Sequence, residues 1–138
     1  MPAPNDRNSR IALAKRWTYH AIAVCCAQAC SVWEPDIYTH WSDPSGTYRE
    51  LPDYVGTLEG VAGLMRELQA RRKPMSQWAW YWNEWKQRFV ILHAAWRHRL
   101  FGRQVHAVFY SDIDHPGDCV GEAYLSMFEE DADASTEE

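Results

Sequence analysis

The segment from Trp78 to Arg103 constrains the fold of this chain more than any other feature. It reads WAWYWNEWKQRFVILHAAWRHRLFGR and holds five of the eight tryptophans and five of the fourteen Lys and Arg residues. We expect a long, Trp-rich helix that starts near Ser76 and ends near Phe101, before Gly102. The reason is that its heaviest apolar residues recur at alternating steps of four and three, the spacing of one helix face: Trp78, Trp82, Trp85, Phe89, Leu92 and Trp96.

Two further helices are predicted upstream of this segment. The first runs from Ile11 to about Trp33 through an Ala-rich sequence. It ends before Pro35, because proline disfavours the helical conformation of the residue that precedes it. The second starts at Thr57, whose hydroxyl suits a helix N-cap, and continues to about Arg72.

Extended segments complete the predicted fold. Residues 104–111 and 120–128 are apolar and rich in β-branched and aromatic residues, and turn-forming residues separate them, which is typical of a β-hairpin. Residues 47–51 offer one extra edge strand. The sequence therefore predicts an α+β fold in which three helices, the third long and Trp-rich, pack with a C-terminal antiparallel β-hairpin.

Chain length and charge distribution predict one domain with an acidic end. A chain of 138 residues has the usual size of a single domain. We expect a flexible lead over residues 1–8, a globular domain over 9–128 and a disordered acidic tail over 129–138. Residues 66–104 contain nine bases and two acids, whereas 112–138 contain ten acids and no base. The tail either stays in solvent or folds back over the basic helix.

The cysteines favour a reducing compartment and leave a zinc site as an alternative. Four cysteines without regular spacing form no disulfide framework, and no apolar run reaches the length of about 18 residues that a membrane span needs. We expect a cytoplasmic protein that does not enter a membrane and carries no cofactor. The leading interpretation of the cysteines is core or partly exposed thiols without metal, and a disulfide through Cys119 is an alternative. Four side chains nevertheless have ligand types and spacing that suit zinc: Cys26, Cys30, His115 and Cys119.

Basic and aromatic residues outside the predicted core stripe are the candidate binding residues. Trp, Tyr and Arg are enriched at the hot spots of protein interfaces. The partner-binding set is Arg71, Arg72, Lys73, Trp80, Tyr81, Lys86, Arg88, Arg97, Trp33 and Trp41. Its basic members also suit the phosphates of single-stranded nucleic acid, with aromatic rings stacking on bases. The acidic end of the chain argues against that partner, because carboxylates repel phosphate.

No complete catalytic motif is recognisable, which directs the functional hypothesis toward binding. The leading hypothesis is a small non-enzymatic protein that binds another protein, as an inhibitor or adaptor of the kind that phages and mobile elements encode. One alternative is a single-stranded nucleic-acid binder that uses the basic aromatic helix. The other is a small zinc-binding or metal-dependent protein.

Overall fold

The computed structural model describes residues 3–24, 36–71, 76–98 and 102–136. Within these ranges the chain forms three α-helices and five β-strands, and the strands make two antiparallel sheets. The chain divides into two compact units, Met1–Leu51 and Pro52–Glu138. The lead, domain and tail boundaries expected from composition stay a prediction.

The N-terminal unit combines a short helix with a two-stranded sheet. Helix α1, Arg7–Ala14, is capped by Asp6, whose carboxylate accepts a hydrogen bond from the Ser9 backbone N–H at 3.2 Å. Strands β1, Thr18–Val24, and β2, Asp36–Ser42, pair antiparallel with a register that places His20 opposite His40.

The predicted first helix is wrong beyond Ala14. Arg16 adopts a φ of 73°, a left-handed conformation that ends helices, and Thr18–Val24 is a strand. Pairing with β2 satisfies the backbone of this segment, so tertiary structure overrides the helix propensity of its alanines. Residues 25–33 of the predicted helix lie outside the described residues.

The turn that follows β2 is organised by the carboxylate of Asp43. Its Oδ1 accepts hydrogen bonds from the backbone N–H of Ser45 at 3.0 Å and of Thr47 at 3.1 Å. Its Oδ2 lies 3.6 Å from the guanidinium of Arg49. Hydrogen bonding, above all from the Ser45 hydroxyl, lowers the pKa of Asp43 below its ordinary value.

Acidification should loosen this turn. Folding lowers the pKa of the Asp43 carboxyl group, so its ionised form stabilises the folded turn at pH values above the ordinary aspartate pKa of about 3.9. That stabilisation is lost as the pH falls through the lowered pKa. We expect the backbone amide signals of Ser45 and Thr47 to titrate in NMR spectra with a midpoint below about 3.9. The Asp43→Asn variant should not show this titration, and a midpoint at or above the ordinary value would contradict the expectation.

The C-terminal unit contains a three-stranded sheet and two helices. Helix α2 spans Leu58–Ala70, and its N-cap is Thr57, as predicted. Strands β3, Ser76–Asn83, β4, Arg88–His98, and β5, Gly102–Ser111, form an antiparallel meander in that order. Helix α3, Asp118–Thr136, contacts β4, β5 and α2, and α2 also contacts β3.

The predicted long helix and C-terminal hairpin are wrong. The Trp-rich segment forms β3, β4 and the first residues of β5 in place of one helix. Of the two strands of the predicted hairpin, 104–111 is a strand in β5, whereas 120–128 is helical in α3. In place of the extra strand over 47–51, Tyr48 makes an isolated bridge to Ser42. The protein is still a mixture of helices and strands, but in another arrangement.

The alternation of side chains along β3 places its tryptophans on one face of the sheet. Trp78, Trp80 and Trp82 lie at every second position, and successive residues of a strand point to opposite faces. Their cross-strand partners on the same face are His93, Ile91 and Phe89, in that order. Over residues 90–94 the central strand β4 is buried on both faces, since neighbouring residues Val90 and Ile91 are each almost fully buried.

The core of the C-terminal unit lies between this sheet and the two helices. Each helix contributes a buried stripe with helical spacing, which is what fixes it against its neighbours. The fully or almost fully buried residues include Val61, Leu64 and Leu68 of α2, Val90, Ile91 and Leu92 of β4, and Cys119, Val120, Ala123, Tyr124 and Leu125 of α3.

Two glycines of α2 should respond in opposite directions to replacement by alanine. A Cβ atom at Gly60 would collide with the backbone carbonyl oxygens of Asp53 and Tyr54, whereas a Cβ at Gly63 would meet nothing within 4 Å. We expect Gly63→Ala to raise the free energy of unfolding by about 0.5 to 1 kcal/mol, since alanine favours helices, and Gly60→Ala to lower it. Urea unfolding of both variants measures these changes in the free energy of unfolding. A Gly60→Ala variant more stable than the unaltered protein would contradict the close approach of the Asp53 and Tyr54 carbonyl oxygens to Gly60.

Candidate partner-binding site at the turn between β3 and β4

The turn between β3 and β4 is a constrained four-residue loop. Asn83 and Arg88 form the last pair of the two strands, so residues 84–87 make the connection. The side chain of Asn83 accepts a hydrogen bond from the Lys86 backbone N–H at 3.1 Å. Gln87 has a φ of 53° and donates a side-chain hydrogen bond to the Glu84 carbonyl oxygen at 2.7 Å. These contacts fix the conformation in which the loop presents its side chains.

Trp85 lies within this loop and is almost entirely in solvent. Its exposed fraction is 98%, the highest among the exposed large apolar residues of the described chain. The prediction that Trp85 belongs to a buried stripe is therefore wrong. Isolated exposed leucines are common, but a fully exposed indole gives up the burial of a large apolar area.

Two tyrosines lie near the turn on one face of the sheet. Tyr81 of β3 and Tyr110 of β5 are both register partners of Val90, so the three residues form a row across the strands. Tyr81 is 41% exposed and Tyr110 is 39% exposed. This row gives the exposed end of the sheet an aromatic surface on either side of its central strand.

Basic side chains accompany these rings. The Lys86 ammonium donates a hydrogen bond to the Tyr110 hydroxyl at 3.0 Å and lies 4.6 Å from the centre of the same ring. Arg88 is exposed at the start of β4 and, by strand alternation, shares a face with Val90. We call the following residues the tip cluster: Tyr81, Trp85, Lys86, Arg88 and Tyr110.

Trp80, in contrast, belongs to the packed side of the sheet. It is partly buried, and its indole Nε1 donates a hydrogen bond to the carbonyl oxygen of Pro116 at 3.0 Å. The same carbonyl accepts a hydrogen bond from the Ser111 hydroxyl at 3.2 Å. Trp80 therefore connects β3 to the loop before α3 instead of extending into solvent with the tip cluster.

The remaining predicted partner-binding residues are spread over other parts of the chain. Arg71 follows α2, where its guanidinium lies 4.4 Å above the ring of Phe128. Trp41 lies in the N-terminal unit against Tyr19, with 5.0 Å between the ring centres. Arg97 belongs to β4, but its side chain is outside the described part. Also outside it are Trp33, Arg72 and Lys73.

The four predicted zinc ligands are only partly within the described chain. His115 is exposed in the loop before α3, and Cys119 is fully buried. Burial raises the pKa of the Cys119 thiol, which disfavours the thiolate that zinc binds. No group of three or more His, Cys, Asp or Glu side chains among the described residues could hold a metal ion. Cys26 and Cys30 lie outside those residues, so a site that includes them stays a prediction.

Comparison with known proteins gives this site no precedent. No family model matches the chain, and neither a curated protein nor a solved structure shows significant similarity to it. Among the helices in the described part of the chain, none combines the length and the hydrophobicity of a membrane span. The physical properties of the tip cluster are therefore the basis for a functional proposal.

Proposed function

We propose that this protein is a small non-enzymatic binding protein that docks on a larger protein through the tip cluster. The observation that carries the proposal is the 98% exposure of Trp85 on a loop with a fixed conformation. The proposal keeps the roles of inhibitor or adaptor that the sequence suggested. We further propose that the protein acts in the cytoplasm, in line with its cysteine usage.

Burial of Trp85 in a partner pocket supplies the driving force for docking. A tryptophan side chain buries about 150 to 250 Å², which corresponds to roughly 5 kcal/mol of hydrophobic free energy before the costs of association are subtracted. Those costs are reduced here because the hydrogen bonds of the Asn83 and Gln87 side chains already hold the loop. Lys86 and Arg88 then form a polar rim that pairs with acidic groups of the partner.

Capture from an extract of the organism that carries the gene tests this proposal. Immobilised full-length protein should retain one protein in a stoichiometric amount, and the Trp85→Ala variant should lose it. The matched control is Leu58→Ala, which removes another large exposed apolar side chain of the same unit and should retain the partner. Equal recovery by Trp85→Ala and the unaltered chain would overturn the proposal.

Single-stranded nucleic acid is the competing partner that the same cluster could serve. Tyr81 and Tyr110 could stack on bases, and Lys86 and Arg88 could contact phosphates. Glu84 lies in the same turn, however, and reduces the local positive charge. Fluorescence anisotropy of a labelled oligothymidylate tests this alternative. Nucleic acid is favoured over a protein partner if the anisotropy rises when the protein is added at low salt and falls steeply with added salt. The Lys86→Ala variant should then give no rise.

A further inference from the structure

One face of the three-stranded sheet carries a strip of exposed apolar side chains. Among the described side chains of β3, β4 and β5, four are large, apolar and between 39% and 48% exposed. Their register partners in β4 are Val90, Leu92 and Ala94, which alternate along that strand and therefore share one face. We call the following residues the sheet strip: Tyr81, Val105, Val108 and Tyr110.

The helices of the C-terminal unit pack on the other face of this sheet. Trp80 lies on that face beside its register partner Ile91, and its indole donates a hydrogen bond to the Pro116 carbonyl oxygen in the loop before α3. Ile91 is fully buried there, whereas the strip residues remain exposed around the buried Val90 and Leu92. Helices α2 and α3 thus leave the sheet strip exposed.

A β-bulge in β5 brings Val105 onto the strip. Residues three apart in a regular strand point to opposite faces, so Val105 and Val108 would not share one. The register shifts at His106, however, so that Val105 is opposite Ala94 while Val108 is opposite Leu92. Along β4 the strip therefore extends over residues 90–94, which is about 13 Å at about 3.3 Å per residue.

The charge of these strands favours an acidic partner. The chain has nineteen acidic residues and a net charge of -5, yet none of its acids lies in β3, β4 or β5. The charged residues of the strands are three arginines, and Lys86 of the tip cluster lies against Tyr110 of the strip. Glu84 in the turn offsets one positive charge and leaves residues 76–111 with a positive net charge. Two copies of this face would repel each other, so charge complementarity selects a partner that carries carboxylates.

We propose that the partner places an acidic amphipathic α-helix along the sheet strip. This inference rests on the proposed function, since the strip continues into the tip cluster through Tyr81 and Tyr110. A sheet face offers side chains, which suit the apolar stripe of a helix, whereas an added strand pairs with the backbone of a sheet edge. Residues i, i+4 and i+7 of a helix span about 10 Å, which matches the length of the strip. Carboxylates beside that stripe pair with Lys86 and Arg88.

Titration of the full-length ¹⁵N-labelled protein with synthetic peptides tests this inference. The probe is a peptide of about 16 residues, long enough to form a helix, with a leucine stripe and flanking glutamates. We expect it to shift the backbone signals of Val105, Val108 and Tyr110 and to lose affinity with added salt. A peptide with lysine in place of each glutamate should bind about tenfold more weakly. The same loss is expected for a peptide with two central prolines, which break the helix.

Matched variants locate the surface that the peptide contacts. Val108→Thr should weaken peptide binding about fivefold, because it replaces a methyl group of the strip with a hydroxyl in a side chain of the same shape. Ile113→Thr places the same hydroxyl at an exposed β-branched residue outside the strip and should leave the affinity unchanged. Trp85→Ala should also retain the peptide, because the peptide lies on the sheet strip and not on the turn.

The outcomes distinguish the acidic helix from the proposed function. No shift at the strip, equal binding of the lysine or the proline peptide, or full affinity in Val108→Thr would each overturn the acidic helix. The proposed function would stand in each of these cases if capture of the partner still depended on Trp85. Full capture by Trp85→Ala, in contrast, overturns the proposed function whatever the peptides do.

Discussion

An Ile91→Ala variant should lose about 2 to 5 kcal/mol of the free energy of unfolding. Ile91 is fully buried in β4, and its register partners are Trp80 on one side and Phe109 on the other. Removing its side chain leaves a cavity between two aromatic neighbours that the central strand cannot easily close. Since β4 pairs with both other strands, the loss should weaken the whole sheet that carries the tip cluster.

Urea unfolding followed by circular dichroism measures this loss, and the chain offers a matched control. Ile113 lies in the loop before α3 with its side chain exposed, so Ile113→Ala removes the same atoms without creating a cavity. Its free energy of unfolding should change by no more than about 0.5 kcal/mol. If the two variants were equally stable, Ile91 would not occupy the core position that the register gives it.

The second helix was predictable because its signals are local. Thr57 is an N-cap whose hydroxyl accepts a hydrogen bond from the Gly60 N–H at 3.1 Å, which depends only on residues three apart. The buried residues Val61, Leu64 and Leu68 repeat at steps of three and four within a single helix. Neither feature requires knowledge of the rest of the fold.

The spacing of the Trp-rich segment predicts a helix because that spacing is ambiguous. A step of four residues, as from Trp78 to Trp82, keeps a side chain on the same face in a strand as well as in a helix. The steps of three are the discriminating ones. The step from Trp82 to Trp85 enters a turn, and the step from Phe89 to Leu92 changes face within a strand buried on both sides. The periodicity of the sequence reveals neither the turn nor the change of face.

The sequence of the last helix predicts a strand for a related reason. The apolar run over 120–128 is short, and periodicity alone does not separate a buried strand from a buried helix segment at that length. Buried Cys119 and Val120 are followed four residues later by buried Ala123 and Tyr124, which is one helical stripe. Cys119 lies just before the run over 120–128, so that run alone does not contain the whole stripe.

Part of the tip cluster could be predicted from composition, and part could not. Tyr81, Lys86 and Arg88 were named as binding residues because of their types. Trp85 was missed because the helical stripe accounted for it, although polar residues surround it on both sides in the sequence NEWKQ. Tyr110 joins the cluster only through the pairing of β4 with β5, which the sequence does not specify.

Replacing Trp85 with alanine should weaken binding to the captured partner by at least 2 kcal/mol, or about 30-fold in Kd. An anchor that goes from full exposure to full burial carries a large part of the binding energy of an interface, whereas a rim charge that stays solvated carries little. Lys86→Ala should therefore change Kd by only about fivefold, mainly through the association rate. Surface plasmon resonance at two salt concentrations measures both rates and separates these contributions.

Stability measurements show whether the loss of affinity in Trp85→Ala comes from a lost interface contact or from a destabilised fold. Because Trp85 is 98% exposed, Trp85→Ala should leave the midpoint of thermal unfolding almost unchanged. Trp85→Phe should recover part of the affinity, since a smaller ring fills part of the same pocket. A variant that bound weakly and also unfolded at a much lower temperature would place Trp85 in the internal packing of the protein, and a variant that bound normally would remove it from the interface.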